Sequence, residues 1–220
     1  MNLTCPRKIA ESCEAVYCPR YPDLPKYTGT QKAVFVNGDY LEDFVKLIQS
    51  DIELCIIHNS DKTFGNFEAS LIAPFADVIH SINADAFDNY DITQIPLGVS
   101  DFQYEYLQTY QKKEVERDIL IYSNFTITTN SNERMECHTS NIKNVTRSMF
   151  KSQEEYYNDL CRSKYVLCPE GTGMDTHRIY ESLYCGATPV VKRNPLAPMY
   201  EAIGGILIVD EWEELNELIN

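Results

Sequence analysis

CPEGTGMDTHRIYESLYCGATPVV, residues 168–191, reads as the end of a strand, a glycine loop, a helix and a second strand. "YVLCP" delivers the chain to Gly171 and Gly173, which allow tight turning and close approach to a ligand. Asp175 or Thr176 can cap the helix that follows. Its free backbone N–H groups make a ready anion site. The helix opens on His177 and Arg178, although the positive end of a helix dipole favours acids there. A bound anion between the arginine and the helix end removes that conflict, with His177 and Arg178 giving charge-assisted hydrogen bonds to phosphate oxygens. Glu181, three residues on, shares roughly the same face and can accept hydrogen bonds from two ribose hydroxyls. The spacing suits a nucleotide diphosphate. A plainer reading stays open for each residue: Arg178 and Glu181 as an i,i+3 surface pair, His177 as a surface histidine, Glu170 as a solvated loop acid. Gly186 is explained as a helix C′ residue and Pro189 as the start of a strand.

Outward from this stretch the pattern repeats. Short apolar runs at "AVFVN", "ELCIIHN", "VIHSIN" and "ITQIPLG" predict four buried strands, separated by helical or irregular crossovers such as "DYLEDFVKLIQS". After "GVSD" a polar helix over Phe102–Glu116 leads into a second series. Strands are expected at "DILIYSNF", "YVLCP", "TPVVK" and "GILIVD", and helices at "NERMECHTSN", "SQEEYYNDLCRSK" (with Ser152 as cap), "APMYEAI" and "EWEELNELIN". The first 30 residues, rich in Pro, Tyr and Cys, read as an irregular leader. Alternating strands and helices imply parallel α/β layering. The expectation is two α/β halves, residues 1–100 and 101–220, meeting near Gly98–Phe102 and facing a cleft at the carboxyl ends of their strands.

Composition excludes several classes. The net charge is -14, with 33 acids against 19 bases, so a nucleic-acid partner is not expected. Twelve of the 19 Lys and Arg fall after residue 110, which makes the later half the place to seek an anion site. No 18-residue apolar run exists, so no membrane span is predicted. "MNLTCPRKIAES" lacks the apolar segment of a signal peptide, which points to a cytoplasmic chain. Were this a fragment of a longer anchored protein, a Golgi-lumenal setting would give meaning to the sequons at Asn2, Asn124 and Asn144, otherwise chance matches. The eight cysteines sit mostly in apolar segments, and Cys5, Cys13 and Cys18 lack zinc-site spacing, so neither metal nor cofactor is expected.

The stretch "SKYVLCPEGTGMDTHRIYESLYCGATPVV" resembles the donor-site region of the exostosin-like, GT47-type glycosyltransferases. "NFTITTNSNER" is similar to their N-F-x-x-x-T-N-x-x-x-R segment, and "IIHNSD" and "IPLGVSD" resemble further segments. The similarity runs from about Ile56 to Val191. It implies a GT-B arrangement: two Rossmann-like halves, the first one reduced, with a UDP- or GDP-sugar held mainly by the second. It implies metal-independent transfer to a glycan or glycoprotein acceptor, and no D-x-D motif occurs; an inverting outcome is expected, with a retaining one left open by Glu170. By the same resemblance Asn124, Arg134, Gly171, Thr172, Gly173, His177, Arg178 and Glu181 form the donor site, with both arginines on the diphosphate and Glu181 on the ribose. Glu170 stands where the family carries a basic residue.

An inverting transfer needs a base near the acceptor hydroxyl. His58 and Asp61, after the second predicted strand, are the favoured candidates, ahead of Asp39; Asp39 can instead cap a helix and Asp61 can form an Asx-turn. A non-catalytic nucleotide- or glycan-binding module is the alternative function. An unrelated phosphotransferase is disfavoured by the absence of G-x-x-x-x-G-K-[ST].

Overall fold

The computed structural model describes residues 4–85, 90–110, 115–149 and 151–219. Its contacts divide the chain into two compact units, Thr4–Asp101 and Phe102 onward. Each holds a five-stranded, wholly parallel sheet of Rossmann-like α/β type.

In the first unit β1 (Ala15–Tyr17), β2 (Ala33–Asn37), β3 (Ile52–His58), β4 (Ala76–Ser81) and β5 (Ile92–Gln94) lie side by side in chain order. Right-handed crossovers between strands in that order deliver every crossover helix to one face. There α2 (Leu41–Val45) and α3 (Asn66–Ile72) bury Leu41, Phe44, Ala69 and Ile72 against Val34, Val36, Cys55 and Ile57. The opposite face shows Val16, Phe35 and Ile56, and it is covered by α1 (Pro6–Glu11) through Ala10 and by Tyr21. The expected irregular leader is therefore a structural layer: its first helix and an edge strand complete a sheet that its own crossovers leave half bare. The sheet has as many strands as the second; its crossover helices are what is short, at five and seven residues.

The second sheet contains β6 (Ile119–Ser123), β7 (Val145–Arg147), β8 (Ser163–Leu167), β9 (Thr188–Lys192) and β10 (Leu207–Val209), in the order β10-β9-β8-β6-β7. From β6 the chain passes outward to β7, then returns to the other side of β6 for β8, β9 and β10. That reversal is a topological switch point, and in open α/β sheets ligands bind in the crevice it leaves at the strand carboxyl ends. α5 (Ser131–Thr139) contributes Cys137 to one face, beside Ile121, Leu167, Val190 and Trp212. On the other, α6 (Gln153–Arg162) packs against α7 (His177–Cys185), β6 and β8. Ser152 caps α6 as expected, accepting from the Glu155 N–H at 3.3 Å. The unit ends in α8 (Ala197–Ile203) and α9 (Leu215–Leu218). The polar helix expected over Phe102–Glu116 is α4, Asp101–Thr109; positions 111–114 of that reading lie outside the described residues, as does the Asn2 sequon. No helix among the described residues is long and apolar enough to cross a membrane.

Candidate functional site

The segments that follow the carboxyl ends of β6 and β8 carry most of the donor-site residues singled out in the sequence. β6 runs into the 124–130 loop, where Asn124 donates to the Tyr122 hydroxyl at 3.0 Å and to Ser148 at 3.2 Å. These bonds fix the loop's departure from the strand. Asn130 then takes a left-handed conformation (φ 44°), which Asn tolerates, and α5 starts. Arg134, on the first turn of α5, spans both loops. Its Nε donates to the Glu170 carbonyl at 2.8 Å and its Nη1 to the Thr126 carbonyl at 2.9 Å.

β8 leads through Cys168 and Pro169 into the glycine loop, whose Gly171 N–H donates to the Gly173 carbonyl at 3.1 Å. Gly171 is not among the positive-φ glycines. Its need for hydrogen is steric: a Cβ there would stand 3.0 Å from Nη2 of Arg134. Gly186, by contrast, is the left-handed C-cap of α7 (φ 77°). Thr172 is exposed on the loop and Gly173 is buried.

The α7 start departs from expectation. Thr176 occupies the N-cap, but its side chain makes no cap bond, and its buried hydroxyl has no hydrogen-bond partner among the described residues. Asp175 is buried instead, accepting from the Thr176 N–H at 2.9 Å and from the hydroxyls of Tyr180 and Tyr200. His177 takes the first helical position, half-buried.

Arg178 does not pair with Glu181 on the surface. Glu181 is buried and accepts from the hydroxyls of Tyr156 at 2.7 Å and Tyr157 at 3.0 Å, both on α6. Burial, then the Glu181 charge, holds both phenols well above their ordinary range, so they remain donors. The Arg178 guanidinium lies over the Phe125 ring, 5.8 Å from its centroid, and its buried Nε has no hydrogen-bond partner among the described residues. Burial, then the like charge of Arg178, pulls the Arg134 guanidinium below its ordinary range. Two arginines thus lie close together beside the glycine loop, and neither forms an ion pair with a described residue. Glu170 turns its carboxyl to the Asn194 amide at 2.8 Å, and burial raises it above the usual carboxylate range.

In the first unit, His58 ends β3 fully buried, stacked on Phe35 at 5.9 Å, with Nδ1 accepting from the Asn59 N–H at 2.8 Å. Asp61 is exposed in the loop beyond. A cleft at the carboxyl ends of β2, β3 and β4 is lined by Asp39, Ser60, Lys62 and Glu68, among others; neither His58 nor Asp61 is part of its wall. Ser60 Oγ donates to Asp39 at 2.9 Å.

These features define a Rossmann-like α/β protein whose second unit holds two neighbouring arginines near the topological switch point of its sheet. The chain belongs to the family described as the RXYLT1 C-terminal domain, whose family model matches residues 101–220, the whole of that unit. It is also similar to ribitol-5-phosphate xylosyltransferase 1 of Danio rerio, at 27% identity over 152 residues, covering 57% of this chain. The chain spans 35% of that relative's length.

Proposed function

We propose that the second unit holds a nucleotide-sugar and that the protein transfers its sugar to a glycan or glycoprotein acceptor, inverting and without a metal. One observation carries this reading. Arg134 and Arg178 sit together, poorly solvated and without carboxylate partners among the described residues, at the end of the sheet where parallel α/β folds take ligands. A diphosphate bridging them relieves their mutual repulsion and supplies the missing acceptor to Arg178 Nε. It also meets the first N–H groups of α7 and the unpartnered Thr176 hydroxyl. In the transfer step the sugar–phosphate bond breaks and charge develops on the leaving diphosphate. Fixed cations and the helix start then act as preorganised stabilisers, the part a metal ion plays elsewhere. His177 flanks the diphosphate, and Thr172 and Gly173 close the loop over it. Glu181, with each oxygen already accepting one phenolic hydroxyl, has one remaining lone pair on each for the ribose.

The name of the curated relative narrows the substrates within this reading to a xylosyl donor and an acceptor bearing a polyol phosphate. The exostosin-like, GT-B assignment belongs to the same proposal. For the base, Asp61 is an exposed carboxylate; His58, buried three residues earlier, orders the loop through Asn59. Asp39 is the rival because it lines the cleft. The test is release of free nucleotide from a panel of UDP- and GDP-sugars in the presence of a chelator. Turnover abolished by Arg178→Ala supports the reading, and loss with Asp61→Asn or Asp39→Asn identifies the base. Nucleotide binding without turnover of any donor would favour a binding module instead.

A further inference from the structure

The first unit carries a second concavity, apart from the cleft lined by Asp39. It lies where the edge strand β1 ends and is walled by Tyr17, Pro19, Tyr21, Lys26, Tyr27 and Tyr40 among others, enclosing about 340 Å³. That volume falls in the range of small-molecule sites, roughly 300–1,000 Å³. Its position is at the carboxyl ends of parallel strands, the functional side of such sheets.

The wall is held from behind. Phe44 lies 5.5 Å from the Tyr17 ring and 4.9 Å from the Tyr27 ring, centroid to centroid. Tyr21 donates to Asp101 at 2.7 Å and accepts from the Asn59 amide at 3.1 Å. Three features of the wall lack an explanation in the fold. Tyr27 is 7% exposed, yet its buried hydroxyl has no hydrogen-bond partner among the described residues. Such a group is destabilising unless something binds it. Tyr40, at 42% exposure, leaves much of its ring in water. Lys26 is exposed and forms no ion pair with a described residue, although the chain carries 33 acids. A cation left unpaired in so acidic a chain complements an anion from outside.

We propose that this concavity is a subsite for an acidic glycan. Sugar rings lie against the rings of Tyr17 and Tyr40, a sugar hydroxyl satisfies Tyr27, and an anionic substituent meets Lys26. This deepens the transferase reading by giving the acceptor a place on the first unit. Aromatic walls suit pyranose rings because their C–H faces are apolar while their edges carry hydroxyls, matching the amphipathic character of tyrosine. A lysine, as a point charge, accepts either a phosphate or a carboxylate.

The test is an array of neutral, phosphorylated and uronic-acid oligosaccharides, followed by titration of the best binder. Retention of acidic over neutral glycans is expected, and the phosphorylated and uronic arms tell which anion is preferred. Tyr40→Ala should weaken binding about tenfold. Lys26→Gln should remove the preference for acidic glycans and leave neutral binding in place. Tyr27→Phe should weaken binding about threefold or more while leaving thermal stability unchanged or higher, because its hydroxyl has nothing to lose in the free protein. No retained acidic glycan, or binding indifferent to all three substitutions, overturns the proposal. UDP binding measured on the same variants should not change. Glycan binding without any UDP binding would sink the donor reading and leave this subsite standing; UDP binding without glycan binding would do the reverse.

Discussion

Replacing Arg178 by Met separates a residue kept for a ligand from one kept for the fold. In the free protein the Arg178 Nε is buried without a hydrogen-bond partner among the described residues. Leaving a polar group in that state costs about 1–3 kcal/mol. The guanidinium also adds like charge beside Arg134. Against this, its placement over Phe125 at 5.8 Å contributes about 0.5–1 kcal/mol at a partly exposed position. Methionine retains most of the aliphatic packing. The balance is a gain of roughly 0–2.5 kcal/mol in stability. Trp212 provides the assay: it is the chain's one tryptophan, fully buried in the core of the second unit, so its fluorescence during urea unfolding reports that unit alone. The same substitution should weaken UDP binding at least about tenfold, since a charge-assisted contact contributes about 1.5–3 kcal/mol. A variant destabilised by more than about 1 kcal/mol, with UDP affinity intact, would show that Arg178 serves the fold and that the reasoning is wrong.

Other consequences follow from the same geometry. Gly171→Ala places a Cβ 3.0 Å from Arg134 Nη2, so the guanidinium must shift; UDP affinity in calorimetry should fall several-fold, about 1 kcal/mol, with a smaller change in stability. Glu170 has its carboxyl raised by burial, so as pH rises through that value the wild type acquires a negative charge near the diphosphate. Its UDP affinity relative to Glu170→Gln should therefore decline as pH rises through the interval just above the ordinary carboxylate range, and the two should converge in acid. By linkage, the stability of the wild type relative to this variant should decline over the same interval, because a carboxyl raised in the folded state favours folding only while protonated. Tyr157→Phe removes one of two donors to the buried Glu181 and should destabilise the second unit by about 1.5–3 kcal/mol in the Trp212 assay.

Much of this architecture was written locally. Buried parallel strands read as continuous apolar runs, and "AVFVN" and "TPVVK" coincide with β2 and β9 to the residue. What escaped was short or polar. β7 is three largely exposed residues on a sheet edge, paired only because β6 offers a free side. β1 is three residues inside a Cys- and Pro-rich leader, and the packing of Ala10 and Tyr21 against Phe35, distant in sequence, is what gives that leader its form. In the candidate site, the glycine loop and Arg178 stood out by residue type and spacing, and Arg134 only through the family resemblance. The environment of Glu181 was not: its i,i+3 relation to Arg178 suggested a partner on its own helix, whereas the partners come from α6. The "EEYYND" pair of tyrosines was the available signal, since two adjacent aromatics on an amphipathic helix bury at least one hydroxyl that needs an acceptor. The Thr176 position was legible, but its missing cap bond was not, because Asp175 takes the adjoining N–H.

Calorimetric titration of the chain with UDP in the presence of a chelator, with Arg134→Gln and Arg178→Ala in parallel, bears most directly on the diphosphate crevice. The predicted result is one-to-one binding that survives chelation and weakens about tenfold or more in each variant. Binding that vanishes with the chelator, or that neither substitution changes, would contradict it.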